Sequence, residues 1–163
     1  MTSANPYSPP NSPLESASLV EAAPPLWNPN AAASWSLIFS PIFGAVLHMK
    51  NWQALGRQDE AERARKWVIG LIVFFVLLFA GGALLPDTKA VDGASRVLGF
   101  AVLLSWYYSR GKPQAAYVLA KYGKDYPRRG WARPLAAAVG VLLAFMAVVF
   151  AVAFAAGLSD ARG

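Results

Sequence analysis

The chain holds few side chains that could carry out chemistry, and their spacing matches none of the common reactions. It has one histidine, His48, and no cysteine, which excludes thiolate catalysis, disulfides and cysteine-based metal sites. An imidazole can serve as a general base or metal ligand near neutral pH. However, His48 stands beside Met49 and Lys50, with no carboxylate or nucleophile nearby in the sequence. We therefore interpret it as an interfacial anchor.

Two other patterns could suggest catalysis or nucleotide binding. Asp87 and Asp92 could form a pair of catalytic carboxylates, but two acids in a short exposed connection are usually solvated. Gly111-Lys112 lacks the upstream glycine spacing of a phosphate-binding loop, and Pro113 follows it directly. We predict that the chain is not an enzyme and has no catalytic residue, cofactor or metal site.

The elements available to position such residues are long apolar blocks. Hydrophobic residues make up 56% of the 163 residues and charged residues 15%, and the mean hydropathy is +0.36. A soluble domain of this size could not bury so much apolar side chain. Because the apolar residues are gathered into blocks with charged connections, we predict an all-α membrane protein, a small bundle of four transmembrane helices.

The predicted spans cover residues 31–49, 67–85, 90–109 and 135–158. The first contains Pro41 and Gly44, so it either spans with a kink, which we favour, or returns as a re-entrant hairpin. The third reaches the needed length only if its helix begins near Ala90. After it, the stretch 114–122 is either an interfacial helix or a charged linker.

Both ends of the chain are predicted to lie outside the bundle. Residues 1–30 hold seven of the twelve prolines and only two charges, so we interpret them as a disordered proline-rich tail. Residues 159–163 form a short C-terminal tail. The transmembrane domain therefore extends from 31 to 158.

The distribution of charge predicts the orientation. Twelve of the fifteen basic residues lie in the connections 50–66 and 110–134, which the positive-inside rule places in the cytoplasm. The N-terminal tail is outside if the first block spans and cytoplasmic if that block is re-entrant. The net charge is +6, and we expect the basic residues to meet the anionic lipid headgroups of a bacterial inner membrane rather than nucleic acid. Interfacial anchors are predicted at four tryptophans, Trp52, Trp67, Trp106 and Trp131.

Small residues in the last block suggest helix packing. Small residues recur every four positions in two sets, Ala136, Gly140 and Ala144, and then Ala147, Ala151 and Ala155, which allows helix backbones to approach closely. The residues predicted to pack within the bundle or against a partner's helix are Gly140, Ala144, Ala147 and Ala151. The oligomeric state is left open.

The overall form, with small size, three or four spans and basic cytoplasmic connections, resembles bacterial polytopic immunity proteins that neutralise pore-forming or type VI secretion toxins. This resemblance is one of architecture and implies a non-enzymatic protein with a toxin partner. Three stretches are similar to small bacterial membrane proteins with no function to carry over: Trp27-Asn28-Pro29-Asn30 through Gly44, Asn51-Trp52, and Tyr126-Pro127-Arg128-Arg129-Gly130-Trp131. The alternatives are an accessory subunit of an envelope complex or a lipid-responsive membrane protein.

Overall fold

The computed structural model describes residues 22–85 and 88–160, and the described chain is helical. This confirms the prediction of an all-α fold. In chain order the helices are α1 (Pro29–Trp35), α2 (Pro41–Ala54), α3 (Gln58–Leu84), α4 (Lys89–Trp106), a π-helical segment (Tyr107–Gly111), α5 (Lys112–Tyr122) and α6 (Ala132–Asp160).

The first apolar block is a helical hairpin rather than one helix. The side chain of Asn28 caps α1, α1 ends at Trp35, and the chain then turns through 36–40. Pro41 begins α2, because proline has no N–H group to leave unpaired at a helix start. The backbone of Trp27 is hydrogen-bonded to the side chain of Asn51. A block whose ends meet cannot cross a bilayer as one helix, so the kinked span predicted for 31–49 is wrong.

A glycine permits the close approach within this hairpin. A Cβ atom at Gly44 would overlap the Ser36 hydroxyl and stand 2.5 Å from the Trp106 ring. Ser36 is buried, and its Oγ donates to the carbonyl oxygen of Ala32 at 3.0 Å. Gly44 is therefore the position where the turn, α2 and α4 come into direct contact.

Helix α3 begins in the basic connection and continues without a break into the second apolar block. Gly56, at φ +69°, makes the turn from α2, a conformation that glycine adopts without steric cost. The first turns of α3 then pack Ala61 and Ala64 against Trp52. Glu60 accepts from Arg110 at 3.4 Å, which ties the start of α3 to the π segment.

The third apolar block and the following basic helix form one continuous helical path. Helix α4 begins at Lys89, one residue before the predicted Ala90, and Thr88 caps it. The π segment then leads directly into α5. Pro113 lies in the first turn of α5, where its missing N–H group leaves no helical hydrogen bond unmade. Of the two alternatives for 114–122, a helix or a charged linker, the structure has the helix, as part of α5.

The buried core lies at one end of the molecule, next to the basic connections. Ala45, Val68, Leu71 and Trp106 form its centre. Beyond them the far halves of α3 and α4, and most of α6, expose large apolar side chains, among them Val76, Leu77, Phe79, Val97, Phe100, Val141, Leu143 and Phe150.

Two helical stretches, Gln58–Gly82 and Ala132–Ala155, are long and apolar enough to cross a membrane. They contain most of the second and fourth predicted spans. The third predicted span lies within α4 and the π segment. The four spans predicted from the sequence are not shown.

The structured part begins earlier than predicted. Leu26 is fully buried, and α1 starts at Pro29, although both were assigned to the disordered tail. Residues 1–21 of that tail, and residues 161–163 of the C-terminal tail, lie outside the described residues. Proline content alone thus placed the boundary too late.

We predict that Gly44→Ala lowers the apparent melting temperature of the detergent-solubilised protein by several degrees, because overpacking costs about 1–3 kcal/mol. The control is Gly70→Ala in α3, where an added Cβ meets nothing within 4 Å. That change should be neutral or stabilising, since alanine favours a helix over glycine by up to about 1 kcal/mol. Equal melting temperatures for the two variants would contradict the close packing at Gly44.

Candidate functional site

A cluster of buried amide side chains holds the base of the hairpin. Asn51 is fully buried; its Oδ1 accepts from the Trp27 N–H at 3.0 Å, and its Nδ2 donates to the Trp27 carbonyl at 2.8 Å. Nδ2 also lies 3.4 Å from Oε1 of the buried Gln114. Gln114 in turn donates from Nε2 to the His48 carbonyl at 2.8 Å. These bonds join the segment before α1 to α2 and α5.

His48 is part of the same cluster. Its Nε2 lies 3.1 Å from the Pro29 carbonyl, and since a carbonyl only accepts, Nε2 carries the proton. The ring centroids of His48 and Trp106 are 5.3 Å apart, and the two rings are nearly perpendicular. His48 lies outside both stretches that could cross a membrane, and burial lowers its pKa to about 4. The imidazole is therefore neutral at physiological pH and buried, so its interpretation as an interfacial anchor is wrong.

The residues before α1 form a strap over the loop that leads into α6. Leu26 donates from its backbone to the Pro127 carbonyl at 3.0 Å and accepts from the Arg129 N–H at 2.9 Å. The indole of Trp27 donates to the Gly130 carbonyl at 3.1 Å. The Arg129 guanidinium stands 4.7 Å from the centre of a Trp27 ring, within the range of a cation–π interaction. The strap therefore connects the hairpin to the start of α6.

An open crevice of about 1160 Å³ lies between the hairpin and α6. Three basic side chains, Lys50, Arg129 and Arg133, line one end of it. Because Lys50 is near the end of α2 and Arg133 near the start of α6, these residues share the side of the molecule that carries the basic connections. The rest of the lining is mainly apolar and includes Phe39, Phe43, Phe75, Val141 and Phe145.

The four predicted tryptophan anchors occupy two kinds of environment. Trp52 and Trp106 are buried in the protein, at 6% and 1% exposure: Trp52 packs against Tyr117 and Trp106 against His48. Trp67 and Trp131 are half-buried. The structure thus assigns packing roles to Trp52 and Trp106, and a headgroup position for the four stays a prediction.

The small residues predicted for helix packing, Gly140, Ala144, Ala147 and Ala151, are all exposed on α6. At 3.6 residues per turn they lie about 120° around the helix from the residues that line the crevice. They are not brought together with the amide cluster, and their packing role stays a prediction.

Of the candidates for chemistry, His48 is buried at the base of the hairpin and Asp92 is exposed near the start of α4. In the part of the chain that the structure describes, no group of three or more His, Cys, Asp or Glu residues could hold a metal ion. Asp92 pairs with Arg96 at 3.4 Å on the exposed start of α4. Asp87 lies outside the described residues.

Sequence reasoning missed the amide cluster because its members are far apart in the chain and belong to no known motif. Asn51 and Gln114 are separated by 63 residues, and they fall in the two basic connections, 50–66 and 110–134, that were predicted to face the cytoplasm. The available signal was the conjunction of Trp27-Asn28-Pro29-Asn30 with Asn51-Trp52, noted only as a resemblance. Comparison with family models, curated proteins and solved structures finds no match to this chain.

The buried neutral His48 predicts a pH-dependent stability. Its pKa rises from about 4 in the folded chain to about 6.5 when unfolded, so the unfolded state binds more protons between these values. The contribution of neutral His48 to the free energy of unfolding should therefore be fully present above about pH 6.5. As the pH drops to about 4, the free energy of unfolding should fall by about 3 kcal/mol.

The measurement is the apparent melting temperature of wild type and His48→Gln between pH 7.5 and 4.5. Glutamine keeps an N–H donor for the Pro29 carbonyl but does not titrate. We expect a steeper loss of stability in the wild type than in the variant. Parallel pH profiles would show that His48 does not titrate in this way.

Proposed function

We propose that this chain is a multipass membrane protein with a lipid-binding rather than a catalytic role, which makes it a lipid-responsive membrane protein. The observation that carries the proposal is the division of the molecule into two layers. One layer is basic and packed, and the other consists of helices with exposed apolar side chains. Such a surface is unfavourable in water and suits a bilayer.

The proposed orientation follows from the same division. Helices α3, α4 and α6 cross the inner membrane of a bacterium, and the α1–α2 hairpin enters from the basic side and returns to it. The connections 50–66 and 110–134 face the cytoplasm. The hydrogen bonds between Trp27 and Asn51 support a cytoplasmic N-terminal tail, the outcome expected if the first block is re-entrant.

The basic layer is suited to bind the headgroups of anionic lipids. Its acidic residues are largely paired, as in Glu60 with Arg63 at 3.0 Å and Glu62 with Arg65 at 3.7 Å. Lys50, Arg129 and Arg133 form no ion pair with a carboxylate among the described residues, and a basic residue near an anionic membrane surface contributes about 1 kcal/mol of attraction. A protein of this kind would respond to the local density of anionic lipid.

We predict that anionic lipid stabilises the purified protein. Phosphatidylglycerol added to the detergent-solubilised chain should raise its apparent melting temperature by several degrees, because a ligand at a hundred times its dissociation constant stabilises by about 2.7 kcal/mol. Phosphatidylcholine with the same acyl chains is the control and should have a much smaller effect. The difference should shrink in about 1 M salt, where charges are screened within about 3 Å. Equal stabilisation by both lipids would contradict the proposal.

The second candidate is an immunity protein that neutralises a membrane-targeting toxin. The exposed small-residue face of α6, with Gly140 and Ala144, supports it, because such a face lets another helix approach closely. In-cell crosslinking and identification of the partners would separate the candidates. A stoichiometric pore-forming toxin would favour immunity, whereas a resident envelope complex would favour an accessory subunit.

A further inference from the structure

We propose that the crevice between the α1–α2 hairpin and α6 binds one anionic phospholipid, with its phosphate at Lys50, Arg129 and Arg133 and an acyl chain along α6. This inference rests on the proposed membrane location and lipid-binding role, and it assigns that role to one place in the fold.

The polar end of the crevice is complementary to an anion. Lys50, Arg129 and Arg133 line it, and among the described residues none of the three forms an ion pair with a carboxylate. None of the described lining residues is acidic. Three like charges gathered at one end repel one another, and an anion bound among them would relieve this. A phosphate can also accept paired hydrogen bonds from a guanidinium group.

Arg129 is positioned for this role by contacts already made. Its backbone N–H donates to the Leu26 carbonyl at 2.9 Å, and its guanidinium stacks on Trp27 at 4.7 Å. Trp27 is in turn held by Asn51. The amide cluster therefore fixes one of the three cations before any ligand binds, which lowers the ordering cost of binding.

The apolar part of the crevice has the dimension of one lipid leaflet. From Arg133 to Phe145 helix α6 advances twelve residues, or about 18 Å. Half of a hydrocarbon core of roughly 30 Å is about 15 Å. The aromatic rings of Phe39, Phe43 and Phe75 line the opposite wall. A phosphate at the basic end thus leaves an acyl chain in contact with apolar side chains along the crevice.

Charge selects the occupant. A helix from a second copy would cover the apolar wall but would leave three cations unpaired at its end. A zwitterionic lipid would bring a positive group to the same place. An anionic phospholipid satisfies both parts of the crevice.

The test is native mass spectrometry of the full chain, released from detergent with phosphatidylglycerol or with phosphatidylcholine of the same acyl chains. The wild type should retain one phosphatidylglycerol in preference to phosphatidylcholine. Lys50→Gln/Arg133→Gln changes two exposed residues and should weaken that binding about thirtyfold, at roughly fivefold for each charge removed. The matched control, Lys112→Gln/Lys124→Gln, removes two exposed charges from the same basic face and should retain the lipid.

A second variant, Ala138→Trp, fills the crevice without changing charge. Ala138 lines the crevice, so the indole should displace the lipid while the melting temperature is maintained. Equal loss of lipid in the control, or full retention in Ala138→Trp, would overturn the crevice site and leave the proposed lipid-binding role intact. A lipid-free dimer would show that a second copy covers the crevice. Absence of any preference between the two lipids in the wild type would overturn the crevice site and the proposed function together.

Discussion

The rest of the structure depends on the hydrogen bonds by which Asn51 closes the base of the first hairpin. The Asn51 amide accepts a hydrogen bond from the Trp27 N–H and donates one to the Trp27 carbonyl. It thus pairs both backbone polar groups of this residue. Leaving such groups buried and unpaired would cost about 1–3 kcal/mol each. The cluster therefore holds the chain before α1 next to the end of α2, on either side of the first apolar block.

The closed base of the hairpin belongs to the basic layer of the molecule. The amide cluster, the turn at Gly56 and the pair of Arg110 with Glu60 lie together on the basic side. Helices α3, α4 and α6 extend from this layer with their apolar side chains exposed. In a bilayer the exposed surface is satisfied by lipid, because association of helices there has no general hydrophobic driving force. In the proposed membrane location, the hydrogen bonds and ion pairs of the basic layer lie at the membrane surface.

The sequence predicts the helices far better than their arrangement. The uncharged block that begins at Trp67 and the alanine-rich block that begins at Leu135 stand out because membrane helices need long apolar runs. The hairpin was offered only as an alternative, since a proline such as Pro41 suits a kinked span and a helix start equally well. Trp106 was predicted to be an interfacial anchor because it lies beside a charged connection, yet it packs inside the protein. Composition indicates which stretches of the chain are helical but not which side of a helix meets another helix.

The central claim is that the chain before α1 and the chain after α2 lie on the same side of the membrane. Because the natural sequence has no cysteine, single cysteines at three exposed positions can be labelled without background: Ala22→Cys, Gln53→Cys and Ala90→Cys. The measurement is reaction with a membrane-impermeant maleimide in intact spheroplasts and in inverted vesicles. The account predicts that Ala22→Cys and Gln53→Cys react only in inverted vesicles and Ala90→Cys only in spheroplasts. Labelling of Ala22→Cys together with Ala90→Cys would contradict the closed hairpin and restore the spanning first helix.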